Sequence, residues 1–341
     1  MNYFKERFNK RFVKNGIKAV SFVLVIAVIL LALSPVFMPK TNKGLKDKSA
    51  QGFMAEPDNT IDVLFVGDSL AYSSFIPLKI FHDYGISSYV CCTPSQTLAY
   101  SEDFIRRAFK NQKPKLVVLE TDGIFRRFNP FQSLVLRAEE WLPIYRYHDR
   151  WKHLSLADFS SEFTSDYIVN DKGYRLYGGV KSASEKDYMK PSSEKARVPL
   201  INKSFLENIK KLCEENGAEL MLVSAPCVKN WSCERHNTVA ELSEKLGIEY
   251  VDMNYMREEI PIDWSADSRD GGEHLNQSGA EKVTSYFGEY LKAKNIFTDH
   301  REDENFDDWK KAYQSFLKEV EKVKTQDKKN AEKKAKKTKS S

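Results

Sequence analysis

Short apolar runs of strand length alternate along the middle of the chain with segments whose apolar residues recur at helical spacing. The predicted strands are 61–66, 88–92, 115–120, 219–224 and 249–252. The predicted helices are 77–84, 96–109, 199–216, 233–246 and 277–294. Continuous apolar strands separated by amphipathic helices are typical of a parallel sheet covered on both faces. We therefore predict a doubly wound α/β fold of about five strands over residues 60–296.

This alternation is interrupted between about residues 123 and 199 by an insertion that is rich in aromatic and basic residues. Residues 297–341 follow the last predicted helix of the domain. They begin with an acidic patch and continue as an amphipathic helix, with Trp309, Tyr313, Phe316, Leu317, Val320 and Val323 on one face. From Lys328 the tail is rich in lysine, and we predict that it is disordered.

The N-terminus has the pattern of a membrane anchor. Residues 1–18 are basic, and residues 19–38 contain no charged side chain. About 20 apolar residues suffice for a helix to cross the hydrocarbon core, and the preceding bases favour a cytoplasmic N-terminus. We predict a single-pass protein of the cell membrane, with a polar linker over 39–59 and the remaining chain outside the cell. A cleaved signal peptide is the alternative interpretation.

Composition narrows the possible functions. The chain is 41% hydrophobic, which suits a packed core, and its net charge of +5 lies largely in the two termini, so nucleic acid is not an expected partner. The five cysteines form no CxxC pair. Buried thiols are favoured, with a bridge between Cys227 and Cys233 as the alternative. Because neither a metal-site spacing nor a nucleotide-binding fingerprint is present, we expect no cofactor and no metal.

Ser69 is the candidate nucleophile because it follows the first strand directly, in Gly67-Asp68-Ser69. The carboxyl ends of parallel strands form the ligand-binding edge of such sheets. A serine nucleophile needs a base, and His274 lies just before the last predicted helix of the domain, four residues after Asp270. Ser69 could instead cap the following helix.

Gly67-Asp68-Ser69 early in the chain and Asp270, His274-Leu275-Asn276 late in it resemble the SGNH (GDSL) hydrolase superfamily. The resemblance implies that Ser69 is the nucleophile, His274 the base and Asp270 the acid that orients it. With the predicted anchor, the chain is similar to extracytoplasmic members of bacterial cell-envelope systems. These include polysaccharide O-acetyl esterases and transferases and the D-alanyl transfer protein of the teichoic-acid pathway.

The chain departs from the family pattern at three places. Asp270 precedes His274 by four residues rather than three, so Asp267 and Glu273 are alternative acids. The family's glycine and asparagine, which donate hydrogen bonds to the oxyanion, are replaced in the segments 92–96 and 120–123. The Ser69 N–H and the Gln96 side chain remain as candidate donors, whereas Asp122, when ionised, can only accept.

Aromatic and basic residues of the insertion are candidate substrate contacts. Packing in the core is the favoured interpretation of the aromatic side chains. The functional interpretation is that Trp141, Tyr145 and Trp151 stack on sugar faces, while Arg126, Arg127 and Arg150 contact phosphates or carboxylates.

The leading hypothesis is a serine esterase or acyltransferase that acts outside the cell on O-acyl groups, acetyl or D-alanyl, of an envelope polysaccharide or teichoic acid. A membrane-bound acyltransferase is the expected protein partner. The alternative is a degenerate SGNH fold that binds the polymer or the acyltransferase without turnover.

Overall fold

The computed structural model describes residues 2–41, 44–127, 131, 135, 138–139, 142–160 and 169–339. Contacts divide the chain into two compact units. The first joins Met1–Leu45 with Asn129–Thr164, and the second joins Lys46–Phe128 with Ser165–Ser341. The predicted insertion is therefore divided, since its two ends belong to the second unit and its middle to the first.

The first unit contains a long helix, α1 (Asn2–Phe37). Its part Val13–Phe37 contains an 18-residue stretch with a mean hydropathy of 2.8 and, by length and composition, is long and apolar enough to cross a membrane. The helix ends against the side chain of Arg150, which donates to the Phe37 carbonyl at 2.8 Å and pairs with Asp158. A cation is stabilising at the carboxyl end of a helix, where backbone carbonyls lack intrahelical donors.

The second unit is built on a parallel sheet in the order β2-β1-β3-β4-β5. The strands are β1 (Val63–Gly67), β2 (Ser88–Cys92), β3 (Leu116–Glu120), β4 (Glu219–Ser224) and β5 (Glu249–Asp252). Neighbouring strands pair in parallel throughout, and every residue of β1, β2 and β3 is buried. These findings confirm the predicted α/β fold with a five-stranded parallel sheet.

Helices cover both faces of this sheet. They are α2 (Ser69–Tyr72), α3 (Pro77–Tyr84), α4 (Leu98–Ala108), α5 (Asp122–Phe125), α7 (Leu200–Glu215), α8 (Cys233–Leu246) and α9 (Gln277–Lys294), while α6 (Pro143–Arg146) belongs to the first unit. Helices α3 and α9 pack together, and Phe65 of β1 contacts Phe75 and Phe287 with ring centroids 4.4 and 5.7 Å apart. Helices α4 and α7 pack together against β1 and β4.

The C-terminal segment corrects two predictions. Helix α10 (Asp307–Lys339) continues through the lysine-rich tail, so the predicted disorder from Lys328 is wrong as far as Lys339. Alanine, lysine and glutamate all have high helix propensity, and α10 is fixed at its start by the buried Trp309 and Phe316. Leu317 is 41% exposed and lies outside the buried face on which it was predicted.

The five cysteines are buried free thiols, so the alternative bridge between Cys227 and Cys233 does not form.

Candidate active site

Ser69 is the first residue of α2 and follows a tight turn at the end of β1. Asp68 caps this short helix by accepting a hydrogen bond from the Leu70 N–H at 2.9 Å. Gly67 is required by close packing, since a Cβ atom there would lie 2.6 Å from the Cβ of Glu120. The turn presents the Ser69 hydroxyl at the carboxyl edge of the sheet. As the first residue of a helix, Ser69 also has a backbone N–H without an intrahelical acceptor.

The candidate base and acid come from the loop before α9. His274 Nε2 lies 2.7 Å from Ser69 Oγ, and His274 Nδ1 lies 2.5 Å from Asp270 Oδ2. The second carboxyl oxygen of Asp270 accepts from the backbone N–H groups of His274 at 2.8 Å and Glu273 at 3.2 Å. These contacts fix the carboxylate against the imidazole, which leaves Nε2 facing the serine hydroxyl.

The pKa of Asp270 is lowered from its ordinary value. Burial raises this pKa. The hydrogen bonds from the His274 side chain and backbone, together with the charges of His274 and Arg269, lower it by more than burial raises it. Asp270 is therefore ionised at neutral pH, as an acid that orients an imidazole needs to be.

The two alternative acids have other partners. Asp267 is buried and pairs with Lys282 at 2.6 Å. Glu273 pairs with Lys229 at 2.8 Å. The structure thus brings Asp270 to His274, even though the spacing differs from that of the family.

Gln96 is held by its own loop rather than offered to a ligand. Its Oε1 accepts from the Thr93 N–H and hydroxyl, at 2.9 and 3.0 Å. Its Nε2 donates to the Cys91 carbonyl and the Ser101 hydroxyl, at 3.3 and 3.1 Å. Both amide hydrogens are thus used in shaping the turn after β2, and this geometry does not support the predicted oxyanion role of Gln96.

Asp122 and Arg126 form an ion-pair cluster behind the nucleophile turn. Arg126 Nη2 contacts Asp68 and lies 2.7 Å from Asp122 Oδ2. Arg235 Nη1 lies 2.6 Å from the other oxygen of Asp122. Arg126 therefore pairs with Asp68, the residue next to Ser69. The sequence predicts Arg126 as a substrate contact and does not predict this ion pair.

Glu120 completes this buried cluster. It is 1% exposed, and its Oε2 accepts from the Asp122 N–H at 3.0 Å. Burial and the nearby Asp68 and Asp122 raise the pKa of Glu120 well above its ordinary value. Burial and Asp122 also raise the pKa of Asp68, to about 6, against the opposing effect of Arg126. Glu120 and Asp68 therefore bind a proton more readily than exposed carboxyl groups do.

Tyr72 is a neighbour of the nucleophile that sequence reasoning missed. It lies three residues after Ser69 on α2 and is buried, and the Ser69 side chain is among the groups that affect the pKa of Tyr72. Burial raises the pKa of Tyr72, so its phenol keeps its proton at neutral pH. The guanidinium of Arg175 lies 4.3 Å from the centre of its ring. Helical spacing from Ser69 was the signal that could have indicated it.

The predicted aromatic contacts belong to the other compact unit. Trp151 lies in the first unit, is 64% exposed, and has the Lys152 ammonium 5.7 Å from its ring centre. Tyr145 is also exposed. Trp141 lies outside the described residues. Within the described residues, no group of three histidine, cysteine, aspartate or glutamate side chains could hold a metal ion.

No protein-family model matches the chain, and no curated protein matches it. Solved structures do. A GDSL-like lipase from Bacteroides thetaiotaomicron is 12% identical, and the match covers 73% of this chain and 98% of that chain with a TM-score of 0.37. An esterase from a Pseudoalteromonas species is 10% identical over 69% and 97% of the two chains, with a TM-score of 0.37. A lipase/acylhydrolase from Enterococcus faecalis is 12% identical over 69% and 97%, with a TM-score of 0.34.

These three proteins are described as lipases, an acylhydrolase and an esterase, which are the enzyme classes that the SGNH resemblance implies. At such low scores the likeness carries no argument about chemistry. The chemistry open to this chain follows instead from the geometry around Ser69.

Proposed function

We propose that this chain is a serine hydrolase or acyltransferase of the SGNH type. The observation that carries the proposal is the continuous hydrogen-bonded series from Ser69 Oγ to His274 Nε2 at 2.7 Å and from His274 Nδ1 to Asp270 at 2.5 Å. Nucleophile and base lie within hydrogen-bond reach, and a third group orients the base, which is the arrangement that activates a serine.

In the first half-reaction, Ser69 Oγ attacks the carbonyl carbon of an ester while His274 takes the hydroxyl proton. The Ser69 N–H is the backbone donor available to the oxyanion. When the tetrahedral intermediate collapses, the carbon–oxygen bond of the ester breaks and His274 returns the proton to the departing alcohol. In the second half, water or a sugar hydroxyl attacks the acyl-serine by the same route, which gives hydrolysis or transfer.

The proposed substrate is an O-acyl group, acetyl or D-alanyl, on an envelope polysaccharide or teichoic acid outside the cell. Support comes from helix α1, which is long and apolar enough to anchor the chain in a membrane, and from the basic residues before the apolar part. An acyl donor for such a reaction would be delivered across the membrane, so a membrane-bound acyltransferase is the proposed partner.

Labelling with a fluorophosphonate tests the catalytic proposal. The full chain in detergent should be modified at Ser69, with the adduct located by mass spectrometry, and Ser69→Ala should abolish labelling. Ser285→Ala is the control, because the Ser285 hydroxyl donates to the Glu281 carbonyl within α9, and its loss is expected to leave Ser69 in place. Undiminished labelling of Ser69→Ala would refute the assignment.

The second candidate function is a binding subunit without turnover. The observation that favours it is the engagement of Gln96, which leaves few side-chain donors for an oxyanion. Wild-type protein that neither reacts with the probe nor hydrolyses aryl acetates, but retains O-acylated polymer in a sedimentation assay, would support binding over catalysis.

A further inference from the structure

Arg269 links the two chain segments that meet at the candidate active site. Its Nη1 donates to the hydroxyl of Ser73, which ends α2, at 3.0 Å, and to the Leu275 carbonyl, which follows His274, at 3.3 Å. The Arg269 N–H also donates to the His274 carbonyl at 3.2 Å. One side chain thus connects the nucleophile helix to the loop that carries the base.

The Arg269 side chain is held rigidly for a residue of its length. It is only 14% exposed, and its guanidinium lies 3.7 Å from the centre of the Tyr177 ring. Its Nε lies 3.9 Å from Asp270 Oδ2. Burial of a cation is unfavourable unless it is paired and hydrogen-bonded, and here an aromatic face, a carboxylate, a hydroxyl and a carbonyl all compensate it.

We propose that Arg269 is a positioning residue that fixes the separation between Ser69 and His274. This inference rests on the proposed function. Ser69 and His274 are distant in the sequence and lie on separate elements, so their 2.7 Å contact depends on how these elements are joined. A displacement of about 1 Å can reduce a rate roughly 100-fold. Both side-chain hydrogen bonds come from Nη1, and the planar guanidinium over the Tyr177 ring fixes the directions of these N–H groups, whereas a lysine ammonium rotates on a flexible stem.

Removal of the guanidinium tests this role. Arg269→Met should reduce the maximal rate of phosphonylation at Ser69 by about 10- to 100-fold, with the concentration of probe at half-maximal rate unchanged. Arg269→Lys keeps the charge but not the planar guanidinium over Tyr177, and should recover part of this loss. Arg257→Met is the matched control, because Arg257 also lies over a tyrosine ring, that of Tyr188 at 5.0 Å, but is more exposed. It should react like the wild type.

A double-mutant cycle separates positioning from a general loss of stability. Ser73→Ala removes one of the two acceptors of Arg269, so its effect on the maximal rate should be small and should disappear when Arg269 is already methionine. Additive effects of the two substitutions would overturn the proposal, as would wild-type reactivity of a folded Arg269→Met variant. If the wild-type protein is not labelled at Ser69, the proposed function fails instead, so the two failures are distinguishable.

Discussion

Two carboxyl groups near Ser69, those of Asp270 and Asp68, have environments that shift their pKa values in opposite directions. Asp270 is partly exposed, is bonded to His274, and has a lowered pKa. Asp68 is the residue directly before Ser69, is fully buried, and has a pKa raised to about 6 despite its contact with Arg126. Hydrogen-bond donors keep the first group ionised, whereas burial and neighbouring acids favour the protonated form of the second. The same functional group therefore orients a base on one side and shapes the turn on the other.

The largest expected effect comes from the Asp270 side of this comparison. Asp270→Asn keeps the size of the side chain but lets an amide donate to His274 Nδ1, which puts the remaining proton on Nε2 and removes the base. We expect turnover of an aryl acetate to fall by roughly 10⁴-fold. Glu273→Gln is the control and should stay near the wild-type rate. Equal losses in both variants would contradict the assignment of Asp270.

On the Asp68 side of Ser69, we expect a substitution to change the stability of the folded protein. Arg126→Met leaves the buried Asp68 without its cation, and we expect the free energy of unfolding to fall by about 3 kcal/mol. Arg127→Met is the matched control, since the neighbouring arginine is exposed, and it should stay within about 0.5 kcal/mol of the wild type. Urea titrations of the two variants in detergent measure this difference. Equal midpoints would show that the cluster does not support the turn.

A substitution of Glu120 should change the free energy of unfolding by less than Arg126→Met does, and in the opposite direction. Its folded-state pKa is raised, so its contribution to stability is fully present below its unfolded pKa, near 4.5, and declines as the pH rises. Glu120→Gln is neutral at every pH and can still accept from the Asp122 N–H. We expect the variant to be more stable than the wild type by about 1–2 kcal/mol at pH 7. This gain should shrink toward pH 4.5.

Urea titrations at several pH values check the expected trend for Glu120. A gain that grows as the pH falls would mean that the carboxyl group is ionised in the folded protein. Of Asp68 and Glu120, only Asp68 would then have a raised pKa in the folded protein.

The sequence predicts the contacts on the Asp270 side of Ser69 but not the cluster on the Asp68 side. The strand ends and helices α3, α8 and α9 follow from local patterns, and the Ser69, His274 and Asp270 contacts follow from motifs at the edge of a parallel sheet. The cluster of Asp68, Glu120 and Arg126 joins residues from separate parts of the chain. Their pairing depends on strand order and on side-chain directions, which local periodicity does not contain.

The same limit explains two other outcomes. The position of Gln96 after β2 predicts an oxyanion donor, but a buried amide satisfies its hydrogen bonds with the nearest groups, here Thr93 in its own turn, Cys91 in β2 and Ser101 in α4. The tail beyond Lys328 was predicted from charge alone. Helix propensity, together with the anchored start of α10, decides its structure instead.

Tyr72 provides the test with the smallest expected effect, because it is buried about one helical turn from Ser69 and the Ser69 side chain affects its pKa. A neutral hydrogen bond contributes about 1 kcal/mol, so Tyr72→Phe should lower the turnover of an aryl acetate by about fivefold and leave the fold intact. Tyr177→Phe is the control, since it keeps the ring under Arg269 and removes only a hydroxyl. If Tyr72→Phe instead lost 100-fold or more, as expected for removal of an oxyanion donor, the phenol would be the main support of the oxyanion. The candidate active site would then depend on the Tyr72 phenol as well as on the Asp270 and Asp68 carboxyl groups.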